Sequence, residues 1–360
     1  MQEGRQLNNQ KRISDFGIEI GKLPKGKLNK ITDVSGVSVG HFTIDTEDHK
    51  TGVTVIIPSP NNIFENKLVA ASHVLNGYGK TVGLLQIDEL GTLESPIFLT
   101  NTLNVGIVQD AAIEHMIQQC SLDGITLESI NTVVGECNDS YLNKIQDRVV
   151  QKQHVMAAID NSSQNFEEGS VGAGRGVSCY QLKGGIGSSS RVVKFDSREY
   201  HIGVLVQSNH GLLKDLIING KEIGKEIDKI HKAERVEEKG SIIIVLATDL
   251  PLESRQLKRI CKRVCVGLSR SGSFIGNGSG EVVIGFSTGN SIAMNSDQDF
   301  HNVTIINENK INVLFRAAAE ATEEAVLNSM VTSEKTVGYK GNVRESLATY
   351  IKDVMGLCDR

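Results

Sequence analysis

The sequence predicts a layered α+β protein, sheets covered by helices, and three observations carry that expectation. Glycine numbers 36 against 5 prolines, aromatics make up 4% and tryptophan is absent, so turns are made by glycine and the interior by small and β-branched side chains. Short apolar runs recur between glycine-rich turns, the strongest being Ile242-Ile243-Ile244-Val245-Leu246-Ala247. The alanine-rich stretch 317–327 has high helix propensity, and its small side chains let a helix lie close to a sheet. At this length the chain could form two domains or one large layered one.

Taken in order, 30–41 alternates apolar and polar around Gly36 and Gly40, and 51–58 follows as a second strand, so a hairpin or sheet edge opens the fold. Segments 70–74, 83–87 and 96–100 are short pieces between glycine-rich turns. Asn104 is placed to cap a helix over 105–118, whose Val105, Val108, Ala112, Ile113 and Met116 share one face. The strand 132–135 runs into Glu136-Cys137-Asn138-Asp139-Ser140-Tyr141, polar residues at a strand exit that either make a turn or carry function. The glycine clusters 169–176 and 184–190 spell neither GxGxxG nor GxxxxGK[ST], which leaves turns and close backbone packing. The strand 201–207 ends at Ser208-Asn209-His210-Gly211, where an asparagine and a histidine either hold an oxyanion and relay a proton or simply form a turn.

A helical pattern covers 215–232, with Leu216, Ile223, Ile227 and Ile230 on one side, and a charged stretch follows over 233–240. Beyond the strand at Ser241, an amphipathic helix is expected from 251 to 270. Cys261 and Cys265 fall inside its apolar series Leu257, Ile260, Cys261, Val264, Cys265 and Leu268, so they read as core thiols rather than metal ligands. A Gly/Ser-rich turn, 271–281, carries Glu281 and leads into the strand 282–287.

Composition excludes several classes. A net charge of −5 and a pI near 6.0 argue against nucleic-acid and anionic-membrane partners. No apolar run approaches the ~20 residues of a membrane helix, and residues 1–12 lack the apolar core of a secretory signal. The expectation is a soluble cytoplasmic protein without disulfides, metal or cofactor.

The junction Lys239-Gly240-Ser241 reads as a cut site. A charged loop ends at a glycine, whose backbone is permissive, and a serine opens a rigid strand. In that geometry a hydroxyl can attack the carbonyl before its own nitrogen, leaving Ser241 as a new N-terminus whose amine serves as base. A serine that merely begins a strand remains the alternative from these residues alone.

Taken together, 31–41, Leu75-Asn76-Gly77, Leu93-Glu94-Ser95-Pro96-Ile97, Thr100-Asn101-Thr102, Val134-Gly135-Glu136-Cys137-Asn138-Asp139, 183–191, Asn209-His210-Gly211, Gly240-Ser241-Ile242-Ile243 and Asn277-Gly278-Ser279-Gly280-Glu281 resemble the DmpA-type L-aminopeptidase/D-esterases and their β-peptidyl aminopeptidase relatives. The resemblance spans about 13–354. It implies a four-layer αββα sandwich, cut between Gly240 and Ser241 into chains 1–240 and 241–360 that stay together as one structural domain, usually in a homotetramer of such pairs. It implies Ser241 as nucleophile, Ser279 and Glu281 as the residues assisting it, Asn209 as oxyanion donor, Tyr141 near the tetrahedral centre and Glu136 as the carboxylate meeting the substrate amine. Short peptides, amides or esters are the implied substrates. An ornithine-type acetyltransferase of the same fold resembles the chain less, its nucleophile being a threonine, and a non-catalytic binding or scaffold protein is the other alternative.

Overall fold

The structure is a computed structural model and describes residues 10–231, 240–294 and 298–356. In chain order its main strands are β1 (Ser38–Asp45), β2 (Lys50–Ile57), β3 (Asn66–Gly77), β4 (Thr92–Leu93), β5 (Ile97–Asn101), β6 (Val133–Cys137), β7 (Ser178–Cys179), β8 (Leu182–Lys183), β9 (Gly185–Phe195), β10 (Arg198–Asn209), β11 (Ser241–Thr248) and β12 (Gly280–Ala293). Its helices are α1 (Leu84–Leu90), α2 (Val105–Leu122), α3 (Lys152–Asp160), α4 (Ile223–His231), α5 (Ser254–Cys261), α6 (Val264–Arg270), α7 (Asn312–Val331) and α8 (Ala348–Met355). One sheet runs β1-β2-β5-β6 and the other β4-β3-β12-β11-β10-β9.

Side-chain alternation along β11 builds the layers. Ile243, Val245 and Ala247 bury themselves between the sheets with Ile97, Leu99 and Val133, while Ile242, Ile244 and Leu246 face a helix layer with Leu257, Ile260 and Leu314. On the far side of the small sheet, Val53, Val55, Phe98 and Val134 pack against Val105, Val108 and Ala111 of α2 and Val155 and Ala158 of α3. The result is the αββα sandwich. Among the described residues no helix is long and apolar enough to cross a membrane.

Close contact between layers needs small residues. A Cβ on Gly187 of β9 would stand 2.0 Å from the Ala325 carbonyl of α7, and one on Gly135 of β6 would meet Ile243 at 2.9 Å. The alanines of α7 thus serve the approach expected of them, over a helix longer than the 317–327 core of the pattern.

Four expectations are corrected. The helical pattern 215–232 is helical only from Ile223, because Asn219 and Gly220 take φ of 50° and 78° and turn the chain before it. Leu216 is buried ahead of the helix, and Ile230 is exposed. The helix expected over 251–270 is two, α5 and α6, separated at Lys262-Arg263; Cys261 stays buried, whereas Cys265 is half-exposed and donates to the Lys262 carbonyl. Segment 83–87 is the start of α1, with Gly83 just ahead of the helix. Asn104 makes no side-chain cap on α2 and instead donates to Asn101, whose carboxamide caps the preceding turn by accepting from Leu103 N. The charged stretch before Gly240 and Cys358 lie outside the described residues.

Candidate active site

The ends of β10, β11 and β12 converge on one point. Ser241 opens β11 and stands in register with Asn209, the last residue of β10, and with Gly280, the first of β12. Facing residues in adjacent strands share a side of the sheet, so the Asn209 side chain and the Ser241 hydroxyl both point into the layer between the sheets. The Ser178 N–H donates to Asn209 Oδ1 at 2.8 Å, which orients the carboxamide and turns its Nδ2 toward Ser241 Oγ at 3.5 Å. On the other flank, Gly280 N–H donates to the Gly240 carbonyl at 3.2 Å. A Cβ on Gly240 would lie 2.5 Å from the Asn209 carbonyl, so the residue before the serine has room only as glycine.

Glu281 lies on the opposite face. It is paired with Ile242, whose side chain meets the helix layer, so the carboxylate is separated by the sheet from the Ser241 hydroxyl. The atom of Ser241 that both faces can reach is its backbone nitrogen, which lies in the sheet. Ser279 is fully buried and its Oγ has no hydrogen-bond partner among the described residues. Its loop is held by Asn76, whose Nδ2 donates to the carbonyls of Gly276 at 3.1 Å, Asn277 at 3.2 Å and Ser279. Ile275, with φ of 59°, holds a left-handed conformation unfavourable for a β-branched residue just before that loop.

Glu136, buried at the end of β6, accepts from Lys80 N–H at 3.0 Å and from the Thr102 hydroxyl. It reaches the serine's neighbourhood through the 78–80 turn: a Cβ on Gly79 would be 3.6 Å from Glu136 Oε1, and one on Gly280 would be 3.4 Å from Gly79 Cα. Tyr141 makes no hydrogen bond to Ser241. Its ring lies under the Arg344 guanidinium at 3.5 Å, and Arg344 Nε donates to Ser178 Oγ at 3.2 Å, one residue group removed from Asn209. Sequence reasoning missed Cys137. Its thiol donates to the Gln207 carbonyl at 3.3 Å and lies beside Ser241, while burial holds it well above the usual thiol range. The signal for it was its place at the strand exit beside Glu136. Asn76 was quoted only as part of a motif, and its three-carbonyl grip is visible only once β3 lies beside β12.

The structure therefore brings Gly240, Ser241, Asn209, Ser279 and Glu281 to one sheet end, with Glu136 and Tyr141 one contact further out. A profile of peptidase family S58 matches residues 29–344. The chain belongs to peptidase family S58. It is 37% identical to the beta-peptidyl aminopeptidase BapA of Sphingosinicella xenopeptidilytica, over 91% of this chain and 86% of that one. Among solved structures, the PH0078 protein of Pyrococcus horikoshii OT3 superposes with a TM-score of 0.90 at 41% identity, covering 96% of this chain and 98% of the other. The L-aminopeptidase D-Ala-esterase/amidase of Ochrobactrum anthropi, described as a variant of the Ntn hydrolase fold, gives 0.88 at 33%, covering 96% and 99%. This S58 peptidase is accordingly a hydrolase of the serine aminopeptidase type with an N-terminal-nucleophile fold.

Proposed function

We propose that Ser241 first cuts this chain and then serves as the nucleophile of a self-processing aminopeptidase. In the first reaction Ser241 Oγ bonds to the Gly240 carbonyl carbon, the C–N bond breaks and the hydroxyl proton passes to the released nitrogen. The resulting ester is hydrolysed by water to the Gly240 carboxylate and a free Ser241 α-amine, giving chains of 240 and 360 − 240 = 120 residues. That amine, with a pKa of roughly 7.7–8.0, accepts the hydroxyl proton in later turnovers.

Each role has support in the geometry. The Gly280 N–H on the Gly240 carbonyl and the Asn209 amide beside Ser241 Oγ are two donors aimed where an oxyanion forms, and one such donor is worth roughly 3–4 kcal/mol of barrier. Ser279 and Glu281 act on the amine rather than on the hydroxyl, since the sheet separates Glu281 from Oγ but not from the nitrogen. Among the described residues Glu136 has only neutral hydrogen-bond partners, the condition in which a carboxylate receives the ammonium of a peptide, amide or ester substrate. Tyr141 closes the site near the tetrahedral centre through Arg344. The single observation that carries the reading is the Gly240-Ser241 peptide itself, its carbonyl hydrogen-bonded and its hydroxyl held within one strand register.

Intact mass and N-terminal sequencing test it: active protein should contain a chain beginning at Ser241, and active protein that is one continuous polypeptide overturns the mechanism. The finer expectations of a cytoplasmic protein and a homotetramer of chain pairs belong to the same proposal. The five described cysteines are free thiols, which suits a reducing compartment, and light scattering of the purified protein checks the assembly.

A further inference from the structure

Lys183 opens the glycine-rich 183–191 motif, and the reaction above gives it no part. It is fully buried, and its ammonium donates to three backbone carbonyls, those of Gly174 at 2.9 Å, Val177 at 3.1 Å and Gly184 at 2.7 Å. Those oxygens use all three N–H groups of the lysine. Burying a cation against neutral acceptors is unfavourable, and burial pulls this ammonium well below the usual lysine range. Tying loops together needs no charge, so the charge itself calls for a reason.

The peptide group between Val177 and Ser178 supplies one. Its carbonyl oxygen accepts from Lys183 Nζ and, at 3.1 Å, from Gly184 N–H; its N–H is the donor to Asn209 Oδ1 at 2.8 Å. Resonance couples the two ends of a peptide unit, so a positive charge on the oxygen makes the N–H a stronger donor. A stronger bond to Asn209 Oδ1 in turn polarises that carboxamide, whose Nδ2 faces Ser241 Oγ. Register fixes the relay, because Ser178 and Lys183 are partners across the β7–β8 ribbon and Lys183 N–H is tied to the Glu345 carbonyl at 2.8 Å. We propose that Lys183 is a positioning residue that strengthens the Asn209 donor through this one shared peptide group. The inference rests on Asn209 acting as a donor in the reaction.

The test is a double-mutant cycle on the full chain, comparing Lys183→Gln, Asn209→Ala and the pair, with self-cleavage followed by denaturing electrophoresis. Hydrolysis of an aminoacyl p-nitroanilide is measured on whatever matures. Lys183→Gln should slow self-cleavage and kcat each about tenfold with KM within about twofold, and should cost nothing further once Asn209 is alanine. An equal tenfold loss in the Asn209→Ala background, a change in KM alone, or unchanged rates would each overturn the relay. Self-cleavage at the wild-type rate in Asn209→Ala would instead remove the donor role of Asn209, and the inference with it. If Lys183→Gln does not fold, Ser178→Pro deletes the N–H while keeping the lysine; a similar loss is expected, and wild-type rates overturn the proposal.

Discussion

Two buried glutamates show how differently this fold treats charge. Glu324, on α7 against β9, is held by Arg191 at 2.8 Å, Lys25 at 3.1 Å, Asn29 at 2.8 Å and Ser189 at 3.1 Å. Arg191 is itself fully buried and also reaches Glu320 and the Ile20 carbonyl, so the cluster pins the segment before β1 to the helix layer. Glu136, equally inaccessible at the other end of the sandwich, accepts two hydrogen bonds from neutral groups. Near it, the Ser279 hydroxyl is buried without a partner among the described residues. A region whose polar groups are saturated serves the fold; one whose groups are left short of partners is set to bind or react.

The largest effect that could break this contrast comes from Ser241→Ala. It should abolish self-cleavage and lower turnover by roughly a millionfold, as loss of a serine nucleophile does elsewhere, while leaving the thermal midpoint of the uncut chain nearly unchanged. Two chains appearing in that variant would remove Ser241 from the chemistry. Next comes Arg191→Met, examined in the uncut Ser241→Ala background so that one polypeptide unfolds. Stranding Glu320 and Glu324 should cost about 3–5 kcal/mol in denaturant titration. A loss under ~1 kcal/mol would mean that the saturated cluster is not what holds the N-terminal segment.

Much of the layering was legible because it follows from local pattern: the six apolar residues after Ser241 alternate between the two faces of one sheet, and no other arrangement buries both. The breaks were not. Asn219-Gly220 interrupts a run whose apolar spacing still counts as helical, and the separation of α5 from α6 leaves no glycine or proline as its mark. Within the site, the strand-end residues could be picked out by type, but not their faces. That Glu281 stands across the sheet from the Ser241 hydroxyl, and that Lys183, Val177 and Asn209 share one hydrogen-bonded line, depends on register between strands distant in sequence.

The same contrast recurs in two histidines, His210 buried and His41 half-buried, both pushed down to about 4 by desolvation. His41 is saturated: its Nε2–H donates to the Glu167 carbonyl and its Nδ1 accepts from Thr54. His210 packs edge-on to Tyr180, and its Nε2 has no partner among the described residues. Because each is neutral when folded and titrates near 6.5 when unfolded, the unfolded chain binds more protons between those values. Stability is therefore complete above pH 6.5 and falls as pH drops toward 4, by up to about 3 kcal/mol per histidine. Asp139, raised to about 6 by burial, opposes this slope equally in every variant and cancels in differences. His210→Phe should flatten the acid slope at little cost at pH 8, whereas His41→Phe should flatten it and destabilise the protein at both ends. Identical curves for the two variants would show that the missing partner of His210 has no energetic meaning.

The smallest and most discriminating effect is expected from Glu136→Gln. The amide keeps one oxygen for Lys80 N–H, and the Thr102 hydroxyl can turn to accept from the new NH2, so the local fold is retained and only the charge is lost. A hydrogen bond to a charged group contributes about 1.5–3 kcal/mol, so kcat/KM for substrates with a free amine should fall roughly 10- to 150-fold. Self-cleavage has no ammonium to recognise, since the attacked carbonyl belongs to Gly240 within the chain, and its rate should stay within about threefold. Equal losses in both reactions would make Glu136 a structural carboxylate like Glu324, and the difference between the two ends of the sandwich would then lie in the hydroxyls alone.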